Sequence, residues 1–130
     1  MRSRILVLSG RDEARLLSQM LQGLPLTLDA AENLEQARAK LPWDDYQAVL
    51  TEASLPDGDW LDVLHLLRES PHEANVVVTS PQADAALWAH ALNLGVYDVI
   101  AQPYYEPEVR RILTNACDRR CHGERAMTAF

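Results

Sequence analysis

Glu52 is the residue best placed to do chemistry. It follows the apolar run Ala48-Val49-Leu50 and precedes a turn-forming Pro56-Asp57-Gly58. In an open α/β sheet, ligands and reactions sit just beyond the carboxyl ends of the strands. A carboxylate there can ligate a cation or act as a nucleophile; the plainer reading makes Glu52 the first polar residue after a buried strand. A second set is Cys117, Cys121 and His122. Two cysteines at i, i+4 could supply half of a metal site, which would need a second pair of ligands from another chain. Arg110, Arg111, Arg119 and Arg120 make the last helix basic, which reads as a solvated face with charge favourable to a helix C-terminus. His65, His72 and His90 show no ligand spacing.

The elements that must position Glu52 follow from periodicity. Ile5 to Leu8 is a continuous apolar run of strand length, as expected for a strand buried on both faces of a parallel sheet. Ser9-Gly10-Arg11-Asp12 has capping-box spacing, and Ala14, Leu17, Leu21 and Leu24 predict a helix closed by Gly23 and Pro25. Leu26-Thr27-Leu28 predicts a short second strand. Asn33 with Gln36 marks the start of a second helix, broken at Pro42. The third strand ends at Glu52, and a helix opens at Asp59 or Trp60, where Trp60 anchors the helix or covers the mouth of a site. Val76-Val77-Val78 predicts a fourth strand. Ser80 as cap and Pro81 as first helical residue predict a fourth helix that carries Trp88 and ends at Gly95. Val96 to Ala101 predicts a fifth strand, and Pro107 starts a last helix with Val109, Ile112, Leu113, Ala116 and Cys117 on one face. Strands alternating with helices over short connections predict one doubly wound α/β parallel sheet of five strands, with right-handed crossovers.

A chain of 130 residues, 48% apolar and 24% charged, fits a single domain. A net charge of −7 repels phosphate backbones and argues against direct nucleic-acid binding. No apolar run approaches the roughly 20 residues of a membrane helix. Two cysteines make no disulfide framework, so a reducing cytoplasm is expected.

At the level of motifs the chain resembles the receiver domains of two-component response regulators, which are CheY-like. The resemblance rests on ILVL at the first strand, LPDGD after the third, VVVTS at the fourth and LNLGVYDVIAQP across the fifth, and it covers residues 4–115. It implies the flavodoxin-like strand order 2-1-3-4-5, a receiver unit over residues 1–122, and a tail or linker start over 123–130. It also implies a role in phosphorelay signal transduction. Typical receivers hold Mg²⁺ with an acidic pair after the first strand and take a phosphoryl group on an Asp after the third. A Ser or Thr and a Lys then contact that group, and an aromatic residue follows the switch. Position by position, the resemblance places the acidic pair at Ser9 and Gly10 and the phosphoacceptor at Glu52. The hydroxyl falls on Ser80, the lysine on Gln102 and the aromatic on Val99. Ser80 alone keeps the pattern.

These departures set the functional expectation. Mg²⁺ takes carboxylate oxygens, and Ser9 and Gly10 supply none. Glu is one methylene longer than Asp, and a misplacement of about 1 Å can cost on the order of a hundredfold in rate. Gln102 brings no positive charge to a developing phosphate. The expectation is an atypical pseudo-receiver without enzymatic activity or cofactor. It would act by contact with a protein partner or fused effector domain, with a homodimer as one form of such contact. By family resemblance, the contact surface is the fourth helix, fifth strand and fifth helix. Glu52 is then either a built-in partial mimic of a phosphorylated Asp, with Ser80 and Gln102 donating to it, or part of an inert pocket. Two alternatives are a receiver that takes phosphate slowly or on another acid, and a flavodoxin-like small-ligand module; the latter lacks a Gly-rich phosphate loop.

Overall fold

The computed structural model describes residues 3–41, 44–70 and 73–118. The strands are β1 (Ser3–Leu8), β2 (Leu26–Ala31), β3 (Ala48–Glu52), β4 (Ser54–Leu55), β5 (Gly58–Asp59), β6 (Asn75–Ser80) and β7 (Asp98–Ala101). The helices are α1 (Arg11–Met20), α2 (Leu34–Lys40), α3 (Trp60–Glu69), α4 (Ala85–Asn93) and α5 (Glu106–Ala116). The main sheet has the order β2-β1-β3-β6-β7, all parallel. Since β6 and β7 are its fourth and fifth strands, this is the 2-1-3-4-5 order that the receiver resemblance implied. The two-residue strands β4 and β5 form a separate antiparallel hairpin in the loop after Glu52.

The apolar strand runs are buried on both faces, as parallel sheets require. Ile5, Val7, Ala48, Leu50, Val77 and Ile100 pack against Leu17 of α1 and Val109, Ile112, Leu113 and Ala116 of α5. On the other face, Leu6, Leu8 and Val49 meet Ala37 of α2 and Val63 of α3. Val76, Val78 and Val99 meet Trp60 and Ala91. Each fully buried Leu, Ile or Val contributes about 1.5–3 kcal/mol.

Several boundaries differ from those read in the sequence. Gly10 occupies the cap position of α1 and no side chain caps that helix. The Ser9 hydroxyl donates to the adjacent Gly10 carbonyl (3.3 Å) and not across a capping box. The second strand runs on to Ala31 because it pairs with β1 along its full length. The fourth helix starts at Ala85, not at Pro81. Ser80 is still paired with Ala101 in the sheet, so its backbone stays extended, and Asp84 caps α4 by accepting from Leu87 N (2.9 Å). The last strand begins at Asp98, and α5 takes Glu106 ahead of Pro107. Asn33 does cap α2 through Gln36 N (2.9 Å), and Asp59 with Asp62 forms a complete capping box on α3. Arg110, read as part of a solvated basic face, donates instead to the Met20 and Gln22 carbonyls at the end of α1 (3.0 and 2.9 Å). Residues 119–130, including Arg119, Arg120, Cys121 and His122, lie outside the described residues, so the expected domain end and tail are not part of this description.

Candidate functional site at the strand ends

The site is assembled where β1, β3, β6 and β7 end. Glu52 closes β3 half-buried, and its backbone is fixed on both sides. The Thr51 hydroxyl donates to the Glu52 carbonyl (2.9 Å), and Ala53 N donates to Thr79 O (2.9 Å). Among the described residues no ion pair involves its carboxylate, and no hydrogen bond reaches it.

The other positions named from the sequence surround it without converging on it. Ser9 is buried, and its amide bonds Ala31 O (3.1 Å). Gly10 is exposed at φ −64°, and a Cβ built on it meets no atom within 4 Å, so packing does not require glycine here. Ser80 is buried and its hydroxyl accepts from Gln82 N (3.0 Å), a local turn two residues on. Gln102 N donates to Ser80 O (3.1 Å), while its side-chain amide turns to Thr79 Oγ1 (3.2 Å), with a longer contact to Tyr104 Oη (3.5 Å). Neither Ser80 nor Gln102 donates to Glu52, so the arrangement expected of an engaged mimic is absent. The competing acceptor, Thr79, lies closer along the strands.

Thr79 and Tyr104 were missed in the sequence. Glu52 pairs in register with Thr79, and neighbouring residues in a parallel ladder share a face, so Thr79 is the hydroxyl beside Glu52. Ser80 points to the opposite face, toward α4. Strand alternation carried this signal, but only the register between β3 and β6 decides it. Tyr104 follows the cis Gln102–Pro103 bond and packs half-buried against the α1/α5 core. Its phenol pKa is pushed up to about 12, first by burial and then by the nearby carboxylates of Glu13 and Glu52, against an opposing interaction with the Thr79 hydroxyl.

Val99 is buried in the sheet, with Trp60 in the same cluster. Trp60 is an anchor: it is 6% exposed, and its ring meets His90 of α4 edge-on (centroids 5.2 Å, 78°). Trp88 on α4 is 40% exposed and Tyr105 at the head of α5 is 65% exposed, with Leu92 and Leu94 also at the surface. Cys117, half of the possible metal pair, is buried, and burial pushes its thiol up to about 11. That suppresses the thiolate a metal would need. No helix among the described residues is long and apolar enough to cross a membrane.

A five-stranded parallel sheet in this order, with an acid at the end of its central strand, defines a CheY-like α/β module. The sequence model of the response regulator receiver domain matches residues 9–114. The chain belongs to the response regulator receiver family. It is 23% identical over 116 residues to the response regulator protein PilR of Pseudomonas aeruginosa, covering 88% of this chain and 26% of PilR. It is 29% identical over 90 residues to the transcriptional regulatory protein DpiA of Escherichia coli, covering 69% of this chain and 40% of DpiA. It therefore spans well under half the length of either relative. Among solved structures it resembles a sensor protein from Polaromonas (TM-score 0.79, 28% identity, 91% of this chain and 98% of that one). It also resembles the receiver domain of a sensor histidine kinase from Pseudomonas aeruginosa (TM-score 0.76, 20% identity, 90% and 98%). The latter was solved with a magnesium ion coordinated in its active site cleft.

Proposed function

We propose that this chain is a receiver that does not take a phosphoryl group on Glu52 by Mg²⁺-dependent chemistry and that signals by protein contact. The observation that carries this reading is the Gln102 amide, which stands where a receiver has its lysine. It is neutral and is engaged by Thr79 instead of facing Glu52. Two further features support it. Ser9 and Gly10 offer no carboxylate, so the donor set does not fit Mg²⁺. With neither metal nor lysine, nothing neutralises an incoming phosphoryl donor. Glu52 then presents a standing negative charge at the strand ends, with no donors gathered around it.

The contact surface in this reading is the α4–β7–α5 face, where Trp88, Leu92, Leu94 and Tyr105 are exposed; large aromatics are enriched at interface hot spots. The partner is another protein, a second copy, or an effector domain fused beyond a receiver unit of residues 1–122. The test is incubation with Mg²⁺ and acetyl phosphate followed by intact mass spectrometry. The expected result is an unchanged mass; a phosphoryl adduct mapped to Glu52 overturns the proposal. A Glu52→Gln variant then tests the standing charge. Amide shifts extending from β3 into β6 and β7 support it, and a spectrum changed only at residue 52 counts against it.

A further inference from the structure

A groove of about 440 Å³ opens at the end of the sheet opposite Glu52, between the close of α3, the start of β6 and the close of α4. Leu64, Leu67, Val76 and Leu94 give it apolar walls, and Arg68 and Glu73 bring charge to it. Leu94 stands exposed there, a large apolar side chain without cover. Among the described residues no ion pair engages Arg68 or Glu73. Asn75 also lines the groove, and its side-chain amide donates to the Ala116 carbonyl in the last turn of α5 (2.8 Å). This buried bond fastens the end of α5 beside the groove. Asp118 lies two residues further on, at most about 7 Å of chain. The sequence beyond Asp118 therefore sets out from the rim of the groove.

That sequence complements the groove. Residues 119–126, RRCHGERA, hold no large apolar side chain, and Met127 is the first. Glu124 and Arg125 come just before it. The chain from Asp118 to Met127 reaches about 30 Å when extended, ample to turn back across the end of the sheet. An unbranched thioether adapts to an irregular apolar gap. We infer that this groove is the docking site of the segment that follows α5: Met127 enters between Leu67 and Leu94, while Arg125 and Glu124 meet Glu73 and Arg68. Exposed ion pairs are weak on their own, so the apolar anchor supplies most of the affinity and the charges set the orientation. The inference goes beyond the reading of Glu52 and does not depend on it. Docked there, the segment covers Leu94 at one end of the proposed contact face and fixes the direction in which a fused effector would leave the receiver.

The test is methyl nuclear Overhauser spectroscopy on the whole 130-residue chain. The Met127 methyl should show cross-peaks to the Leu67 and Leu94 methyls, and Met127→Ser should shift the Leu94 and Gly95 amides. Glu73→Arg or Arg125→Glu alone should lower the docked-to-free ratio by about threefold, the scale of one exposed ion pair. The two together should restore it, which a purely structural effect of either change would not do. Both positions are free of the apolar core, so these variants keep the fold. A Met127 methyl with no cross-peak to Leu67 or Leu94 overturns the inference. So do cross-peaks found only between differently labelled copies in an isotope-filtered mixture, which would make the occupant a second chain. Failure of the double charge reversal to restore docking also counts against it. Phosphodonor treatment reads Glu52 at the other end of the sheet, so its outcome is separate from this one.

Discussion

At the scale of single residues, the proposed reading has the site differ from a phosphate-accepting receiver at Gly10, Glu52 and Gln102, and at Gly10 packing does not enforce the difference. Gly10 has open space at its Cβ and an ordinary negative φ, so Gly10→Asp should fold with stability within about 0.5 kcal/mol of the parent in urea titration. Combined with Glu52→Asp and Gln102→Lys, it should restore a Mg²⁺-dependent mass adduct with acetyl phosphate. No adduct from the folded triple variant would show that the lost chemistry lies elsewhere. A second prediction concerns pH. Burial pushes the Cys117 thiol and the Tyr104 phenol up to about 11 and 12, from ordinary values of 9 and 10. Above those ordinary values the unfolded chain loses its protons first, so it binds fewer than the folded one and stability falls with pH. The contribution is intact below pH about 9 and is lost as pH rises toward 11 and 12. Urea midpoints should decline over that window, and Cys117→Ala should flatten its first part. Part of the site could be read before the fold: Glu52 and Gln102 follow apolar runs, and a strand end is recognisable in one dimension, whereas Ser80, read the same way, lies on the opposite face from Glu52. Thr79 and Tyr104 were not legible, because their roles depend on which residue of β6 stands beside Glu52, a fact of pairing and not of either strand.

At the scale of elements, the loop after Glu52 is tied down more firmly than its turn-forming sequence suggests. Asp57 leaves the β4–β5 hairpin and accepts from Leu34 N (2.8 Å) and Glu35 N (3.2 Å), capping α2 from a distant part of the chain. A carboxylate at a helix N-terminus also meets the positive end of the helix dipole. Asp57→Ala should cost about 1 kcal/mol, measured as a shift in urea midpoint. Gly58 makes this approach possible, because a Cβ there would overlap the Leu34 side chain and the Asp62 carboxylate that completes the α3 capping box. Leu34 is buried and has little freedom to move, so Gly58→Ala should destabilise by about 1–3 kcal/mol. The sequence marked Asp57 and Gly58 as turn residues. It could not mark the hairpin, whose strands are two residues long, or the reach to α2. The start of α4 was misplaced for a related reason: Ser80-Pro81 has the local chemistry of a helix start, but pairing of Ser80 with Ala101 in the sheet outweighs it.

At the scale of the whole molecule, alternating apolar runs and helical faces predicted one parallel sheet with right-handed crossovers, while its strand order was implied by the receiver resemblance. What such a fold usually does is a separate matter from what this site can do. The scaffold is that of the receiver family, while in the proposed reading Glu52 stands at the strand ends without the metal and lysine that the resemblance implies for typical receivers. The account holds that this scaffold keeps one arrangement and is read by contact. The most direct measurement is an amide NMR titration with Mg²⁺ and then beryllofluoride, a phosphoryl mimic. The account predicts that resonances of Glu52, Ser80 and Gln102 stay in place at millimolar additions, and that α4 and α5 do not respond. If those resonances shift together with α4 and α5, the chain is a phosphate-responsive switch, and the account is contradicted.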